Sequence, residues 1–492
     1  MTDIATTVAG ADGSLAFAPK GLYIGGKWVD AAEGGRVTSI NPATARPLCE
    51  VPSASAKDVD RAVEAAKRGF ALWSKLPLSE RAAALEALAG RILAHAHELA
   101  LIDACDSGNT YDGMLGDMRA TAESLRYFAG LARELKGETF SNDARHLNLT
   151  LRQPYGVVAK INPFNHPFRF CAEKVAAPLM AGNSVVVKQP EQAPLSGLRF
   201  GELCDGLFPD GTINVITGDG ATGSALVRHP QIMRIGFIGS VETGRIIARE
   251  AADGLKRVSL ELGGKNPVIV FADADAASAA SLILKGMNLN RQGQSCSSTS
   301  RVFLHKSVHD EVVERLVEAA KGMRVGLPWQ KGIEVGAIVS EEQFGRVMRY
   351  IGYGKESGAK LLLGGDRPAA KELERGYFIN PTVFDGVRSD MRIAREEIFG
   401  PVMSVIAWED YERMIAEANG VIYGLTAAIV TNDMKLAMET ATRLEAGYVW
   451  INSAGRYLGA PYGGWKQSGI GQEENLEELL SYSQIKNVNV RW

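Results

Sequence analysis

No stretch of the 492-residue sequence approaches the roughly 20 consecutive apolar residues that a bilayer-spanning helix needs. Nor is there a dense run of lysine and arginine, and the net charge is −3, so the electrostatic footprint of a nucleic-acid-binding protein is missing. Cysteine is scarce. The five residues Cys49, Cys105, Cys171, Cys204 and Cys296 are odd in number and lack metal-ligand spacing, which argues against a disulfide framework or a metal site and fits free thiols in a reducing cytoplasm. The first 20 residues carry Asp3 and Asp12 and no early positive charge, unlike the basic-then-apolar build of a signal peptide, and read as a loose tail. Internal repeats and low-complexity segments are also absent.

What remains is an ordinary soluble composition, 46% hydrophobic and 23% charged, which excludes disordered, collagen-like and coiled-coil classes. Its length exceeds what one hydrophobic core supports, so two or three domains are expected. A strand-like run at Leu22 to Ile24 and a turn at Gly25-Gly26 lead into helical patterns at Ala56 to Phe70 and Ser79 to Asp106. Short Val- and Ile-rich runs then alternate with helical segments: Val157 to Ile161, Ser184 to Val187, Ile213 to Ile216 and Met233 to Ile238. That alternation predicts a doubly wound parallel sheet. After Gly264 a second set follows, at Pro267 to Phe271, Ser300 to Leu304, Thr382 to Phe384, Met403 to Ala407 and Ala427 to Val430, and predicts a second domain. His146 to Leu151 and Ile485 to Val490 alternate apolar and polar residues, and are expected to pair in a small sheet whose edge another subunit covers.

Three runs carry chemistry. Cys296 sits among small and polar residues in Asn290-Arg-Gln-Gly-Gln-Ser-Cys296-Ser-Ser-Thr-Ser-Arg301, a setting in which backbone amides at a turn or helix start can lower a thiol's pKa; alone, it reads more readily as an inert small filler. Glu261 lies between leucines before two glycines in Ser259-Leu-Glu261-Leu-Gly-Gly-Lys-Asn-Pro267. A carboxylate so placed is either a general base with a raised pKa or an ion-paired surface residue. Asn165, in Ile161-Asn-Pro-Phe-Asn165-His-Pro-Phe168, is fixed between two prolines and offers an amide to an oxyanion. His166 beside it is either a partner for a nucleophile or a satisfied structural histidine.

Three further runs suit a dinucleotide. Gly218-Asp-Gly220-Ala-Thr-Gly223 fits the GxGxxG pattern, which is weak evidence alone. Gly239-Ser240-Val-Glu-Thr243-Gly244 follows a strand and opens a helix, where free amides meet a pyrophosphate. Glu191, in Lys188-Gln-Pro-Glu191, is placed to bind ribose hydroxyls and repel a 2′-phosphate, favouring NAD over NADP.

Together these runs closely resemble the aldehyde dehydrogenase superfamily, from about Leu22 to Val490. The resemblance implies an α/β fold of two doubly wound parallel-sheet domains plus a small β oligomerisation arm. It implies an NAD-binding domain at 21–139 and 160–263, a catalytic domain at 264–470, and an arm at 140–159 and 471–492. It makes Cys296 the nucleophile, Glu261 the general base, and Asn165, with the cysteine's own N–H, the oxyanion hole. It assigns Lys188 and Glu191 to the adenosine ribose, Ser240 to the pyrophosphate, and places Gly220 and Gly223 beside the adenine. Glu397 and Phe399, in Glu396-Glu397-Ile-Phe399-Gly-Pro, match nicotinamide-side contacts; Ile161, Asn162, Phe164, Phe237, Gly239, Thr243 and Leu262 complete the cofactor set. On the substrate side it places His166, Arg169, Phe170 and Tyr462.

The implied reaction is NAD-dependent oxidation of an aldehyde to an acid through a thiohemiacetal and a thioester, in a cytoplasmic homodimer or homotetramer. A CoA-acylating semialdehyde dehydrogenase is the alternative, although such relatives lack the Glu; a non-catalytic protein on the same fold is a remote one. Two departures stand out. Arg169 and Glu173 replace apolar and aromatic residues, as either a surface i,i+4 pair or a receptor for an acidic aldehyde. A GRE-like run reads Gly471-Gln472-Glu473, leaving the role of its arginine unfilled.

Overall fold

The structure, a computed structural model, describes residues 9–492. Its first large sheet has a parallel core in the order Ile213–Ile216, Ser184–Lys188, Val157–Ile161, Ile232–Ile238, Arg257–Glu261. These strands are near-continuous apolar runs because helices cover both faces; every residue of Val157–Ile161 and Ser184–Lys188 is buried. Antiparallel strands close the edges, Leu22–Ile24 with Lys27–Val29 on one side and Gly469–Ile470 on the other. The stretch expected at 264–470 therefore does not keep to one sheet: Gly469 pairs with Glu261 and Ile470 with Leu260.

Register decides where a site can form. Ile161 pairs with Lys188 and with Phe237, Lys188 with Ile216, and Ile238 with Glu261, so the carboxyl ends of five strands finish at one level. Ligands of open α/β sheets bind outside those ends.

The second sheet runs Lys360–Leu363, Thr382–Asp385, Val402–Trp408, Arg301–His305, Pro267–Val270, Thr426–Val430, Tyr448–Ile451, parallel except for the first strand. A third sheet joins Ser483–Arg491 to His146–Pro154 and Thr139–Asp143, all antiparallel. The expected pairing of the two alternating segments is present and extends over both strands.

Local departures have local causes. The helical pattern at 79–106 is two helices, Leu78–Ala94 and Ala96–Ser107. At His95 the backbone leaves the helical region (φ −107°, ψ 12°), and its ring meets Glu98, which in turn holds Arg199 on a separate helix. The segment 1–20 is not loose where it is described. Ala9 is buried and bridges Leu15, Asn41 donates to the Gly13 carbonyl at 3.0 Å, and a Cβ on Gly13 would strike Trp329. Residues 1–8 lie outside the described residues. Among the described residues no helix is long and apolar enough to cross a membrane.

Candidate active site

Glu261 is the last residue of a strand, and its peptide oxygen accepts from Gly239 at 3.0 Å. The following glycines let two other loops close upon it: a Cβ on Gly263 would run into the Glu397 carboxylate, and one on Gly264 into the carbonyl of Cys296. The side chain of Glu261 is buried, and neither carboxylate oxygen has a hydrogen-bond partner. Burial first, and then the nearby Glu473 carboxylate, raise its pKa well above the carboxylate range, against the pull of Lys174.

Cys296 lies in a turn-rich loop, with left-handed backbone at Gln292 and Gly293 (φ 53° and 69°). A Cβ at Gly293 would strike the Gly400 carbonyl, so glycine is required there. Asn266 pins the loop by donating to the carbonyls of Cys296 at 2.7 Å and Ser298 at 2.9 Å, while its own oxygen accepts from Thr426 at 3.1 Å. The thiol differs from expectation. It does not head a helix, and its surroundings are dense enough that burial pushes its pKa up; Arg456 and the Tyr462 hydroxyl, 3.8 Å from Sγ, oppose that rise.

Asn165 follows the strand Val157–Ile161 and is buried; its carbonyl accepts from Asn109 at 3.1 Å, and its side-chain oxygen is unpartnered. The ring of its neighbour His166 is engaged by Asp117 and Arg291. The ring meets Asp117 at 2.6 Å, and burial depresses its pKa to about 4, which leaves it neutral near pH 7 and already engaged.

Cavities connect these residues. One of about 170 Å³ is lined by Phe164, Asn165, Glu261, Leu262, Cys296, Glu397 and Phe399, among others. It shares Gly239, Ser240 and Phe164 with a long cleft of about 620 Å³ that takes in Ile161, Asn162, Lys188, Glu191, Gly220, Gly223, Phe237 and Thr243. On the other side of Cys296, a cavity of about 210 Å³ is lined by His166, Arg169, Phe170, Trp450 and Arg456. The sulfur thus stands between two spaces. A larger surface hollow around Trp408, Lys306 and Arg388 takes in none of Cys296, Glu261 and Asn165.

The cleft suits a dinucleotide. Ser240 caps the helix Val241–Asp253, accepting from the amide of Thr243 at 3.2 Å, and the buried Asn162 amide nitrogen has no partner. A Cβ at Gly220 or Gly223 would meet nothing, so both face open space. The apparent GxGxxG turn is no phosphate cradle: Asp219 already takes the amides of Ala221 and Thr222, and its charge would repel phosphate. At the far end the Glu397 carboxyl accepts from Gly264 at 2.9 Å, with burial pushing its pKa up to about 7. Phe399 adopts φ 59°, a strained value for a bulky residue. Gln343 holds it by donating to its carbonyl at 2.8 Å, Arg346 does the same for Glu397, and Phe164 packs edge-on at 5.7 Å.

Arg169 and Glu173 do pair, at 2.6 Å, but not on the surface, because Glu173 is 2% exposed. Lys174 joins Glu173 at 3.2 Å to Glu473 at 3.0 Å, and Lys160 reaches Glu473 at 3.7 Å. Glu473 also exchanges both backbone hydrogen bonds with Tyr462, so the run lacking the expected arginine still holds the late loop in place. Asn266, Gln343, Arg346, Lys174 and Arg456 went unrecognised in the sequence. Among the described residues no group of His, Cys, Asp and Glu is arranged to hold a metal ion.

Residues 28–488 match the model described as the aldehyde dehydrogenase family. The aldehyde dehydrogenase tropH of Talaromyces stipitatus is 43% identical over 477 residues, covering 95% of this chain and 93% of that protein. The structure of an aldehyde dehydrogenase from Bacillus cereus in complex with NAD+ superimposes with a TM-score of 0.93 at 39% identity, covering 96% of this chain and 97% of that one. PnpE from Pseudomonas sp. WBC-3 gives a TM-score of 0.94 at 38% identity, covering 96% and 98%.

Proposed function

The chain belongs to the aldehyde dehydrogenase family, and from that premise we propose that it oxidises an aldehyde to the carboxylic acid, with NAD as acceptor, through a thioester on Cys296. The observation that carries the reading is the meeting of Cys296, Asn165 and an unpartnered Glu261 carboxyl in one cavity that opens into the cleft.

The cofactor assignment is supported by the Bacillus cereus relative, solved with NAD+, and by the cleft's unpartnered Asn162 amide and open glycines. Lys188 and Glu191 would hold the adenosine ribose, the start of the helix at Ser240 and Thr243 the pyrophosphate, and Glu397 and Phe399 the nicotinamide side. When bound, the nicotinamide supplies the hydride acceptor.

The protein's own residues do the rest. The Cys296 sulfur adds to the aldehyde carbon as its proton leaves, and the side-chain amide of Asn165 donates to the oxygen that gains charge. After oxidation the acyl group remains on sulfur. Glu261 takes a proton from water, the water oxygen bonds the acyl carbon, and the carbon–sulfur bond breaks to return Cys296. The sum is aldehyde plus water to acid, with one hydride and one proton released. A raised pKa suits Glu261 to this, because a base is most effective when its pKa lies near the working pH.

We further assign 21–139 and 160–263 to cofactor binding, 264–470 to catalysis, and 140–159 with 471–492 to an arm that joins subunits of a cytoplasmic homodimer or homotetramer. The apolar side chains Phe140, Leu151 and Ile485, exposed on the arm, support an interface there. The deciding experiment measures NADH formation across a panel of aldehydes for the wild type and Cys296→Ala. Undiminished turnover by the variant overturns the reading.

A further inference from the structure

Resting on that reading of Cys296, we propose that the cavity on the side of the sulfur away from the dinucleotide cleft selects aldehydes that carry a carboxylate, and that Arg456 and Arg169 are the specificity-determining residues that bind it.

The cavity wall is cationic. Arg169 and Arg456 both line it, and none of its lining residues is a carboxylate. The acids that balance these arginines stand behind them: Glu173 takes Nε of Arg169 at 2.6 Å, and Glu474 takes Nη1 of Arg456. Both acids are almost fully buried, at 2% and 4% exposure, while the arginine side chains keep 20% and 26% of their surface open. A guanidinium has five N–H donors. Arg456 therefore has donors left beyond its bond to Glu474, and Arg169 beyond its contacts with Glu173 and Asp117.

Both groups are held in place before any ligand arrives. The Arg456 guanidinium lies over the Tyr462 ring, 3.6 Å from its centroid, and the Tyr462 hydroxyl in turn meets Cys296. Arg169 lies one helical turn from the Glu173 that grips it, with Asp117 at 3.7 Å on its other side. Fixed planar forks bind a carboxylate with little further loss of freedom. A cavity for neutral aldehydes is served by apolar walls, and a neutral chain laid against the remaining guanidinium donors would strip their hydration without replacing it. Here Phe170 and Trp450 supply apolar surface for the carbon chain, and the arginines supply the far end.

Arg456 also lies near enough to Cys296 to help hold the thiolate, so its loss lowers every rate. A ratio of two substrates removes that common factor. The test compares kcat/KM with NAD for glutaric semialdehyde and pentanal, which have the same chain length and differ by the terminal carboxylate. For the wild type the semialdehyde is expected to be favoured by about tenfold or more, the scale of one charged hydrogen bond. Arg456→Met is expected to lower that ratio about tenfold, and Arg456→Lys to restore part of it.

Equal kcat/KM for the two aldehydes in the wild type, or an unchanged ratio in Arg456→Met, overturns the proposal. The wild-type comparison needs no substitution, so it decides even where Arg169→Met leaves Glu173 unpaired and fails to fold. Oxidation of pentanal with no preference for the semialdehyde leaves the Cys296 reading intact and removes this one. Conversely, a thermal shift by glutarate that Arg456→Met abolishes, with no NADH from any aldehyde, keeps the anion site and overturns the oxidation.

Discussion

The side-chain amide of Asn266 donates to the peptide oxygen of Cys296 at 2.7 Å. That bond makes one mechanical unit of two runs 30 residues apart in sequence. Glu261 enters the unit at the end of a strand, Gly263 and Gly264 let the backbones approach, and Asn266 locks the nucleophile's loop beside them. The loops that carry base and sulfur are thus held together by close main-chain approach and by the Asn266 side-chain amide.

Replacing Glu261 with Gln keeps the shape and removes the base. Rapid mixing with aldehyde and NAD should then show a first burst of NADH matching the enzyme concentration, followed by steady turnover reduced about 10²- to 10⁴-fold. A variant that loses the burst and the steady rate together would place Glu261 before the thioester, not after it.

Asn165→Ala removes an amide from the cavity but keeps the backbone carbonyl that Asn109 holds. The expected result is a kcat about 10²- to 10³-fold lower, with the melting temperature little changed. Wild-type kcat in this variant would exclude the side chain from charge stabilisation.

Burial raises the pKa of both Glu261 and Cys296, and each must lose a proton to act. Activity should therefore climb with pH along an acid limb well above the ordinary Glu value of about 4.3. The kcat–pH profile checks this, and a limb centred near pH 4 would refute it.

Asp106 is buried between Ser39 and the amide of Leu195, and burial pushes its pKa up to about 7. The folded form holds the proton that an unfolded Asp releases near about 3.9, so the associated stability is complete below that value and is lost as pH rises through about 7. Asp106→Asn should melt higher than the wild type at pH 8 and lose that advantage at pH 4. Equal melting curves at both pH values would mean that the charge is relieved by other means.

Much of this was legible locally. Most central strands of both large sheets follow from Val- and Ile-rich runs between glycines and prolines, whereas Arg257–Glu261, Lys360–Leu363 and Tyr448–Ile451 went unpredicted; Glu261 and Cys296 stand out because glycines and small residues surround them. What failed to show depends on partners distant in sequence. The i,i+4 spacing of Arg169 and Glu173 reads as a surface pair because nothing local reveals that Asp117 and Lys174 close over it. Arg456 lies in an irregular loop and gains meaning only from Tyr462 and Glu474. The strand Thr139–Asp143 contains Ser, Asn and Asp, which disfavour strands, and forms because His146–Pro154 offers it an edge.

Thiols are attacked by peroxide and alkylating agents chiefly as thiolates. The same burial that raises the Cys296 pKa therefore keeps the thiolate fraction open to such reagents small between turnovers. Durability in air and readiness to react pull against each other at this one atom, and the resting protein sits on the durable side.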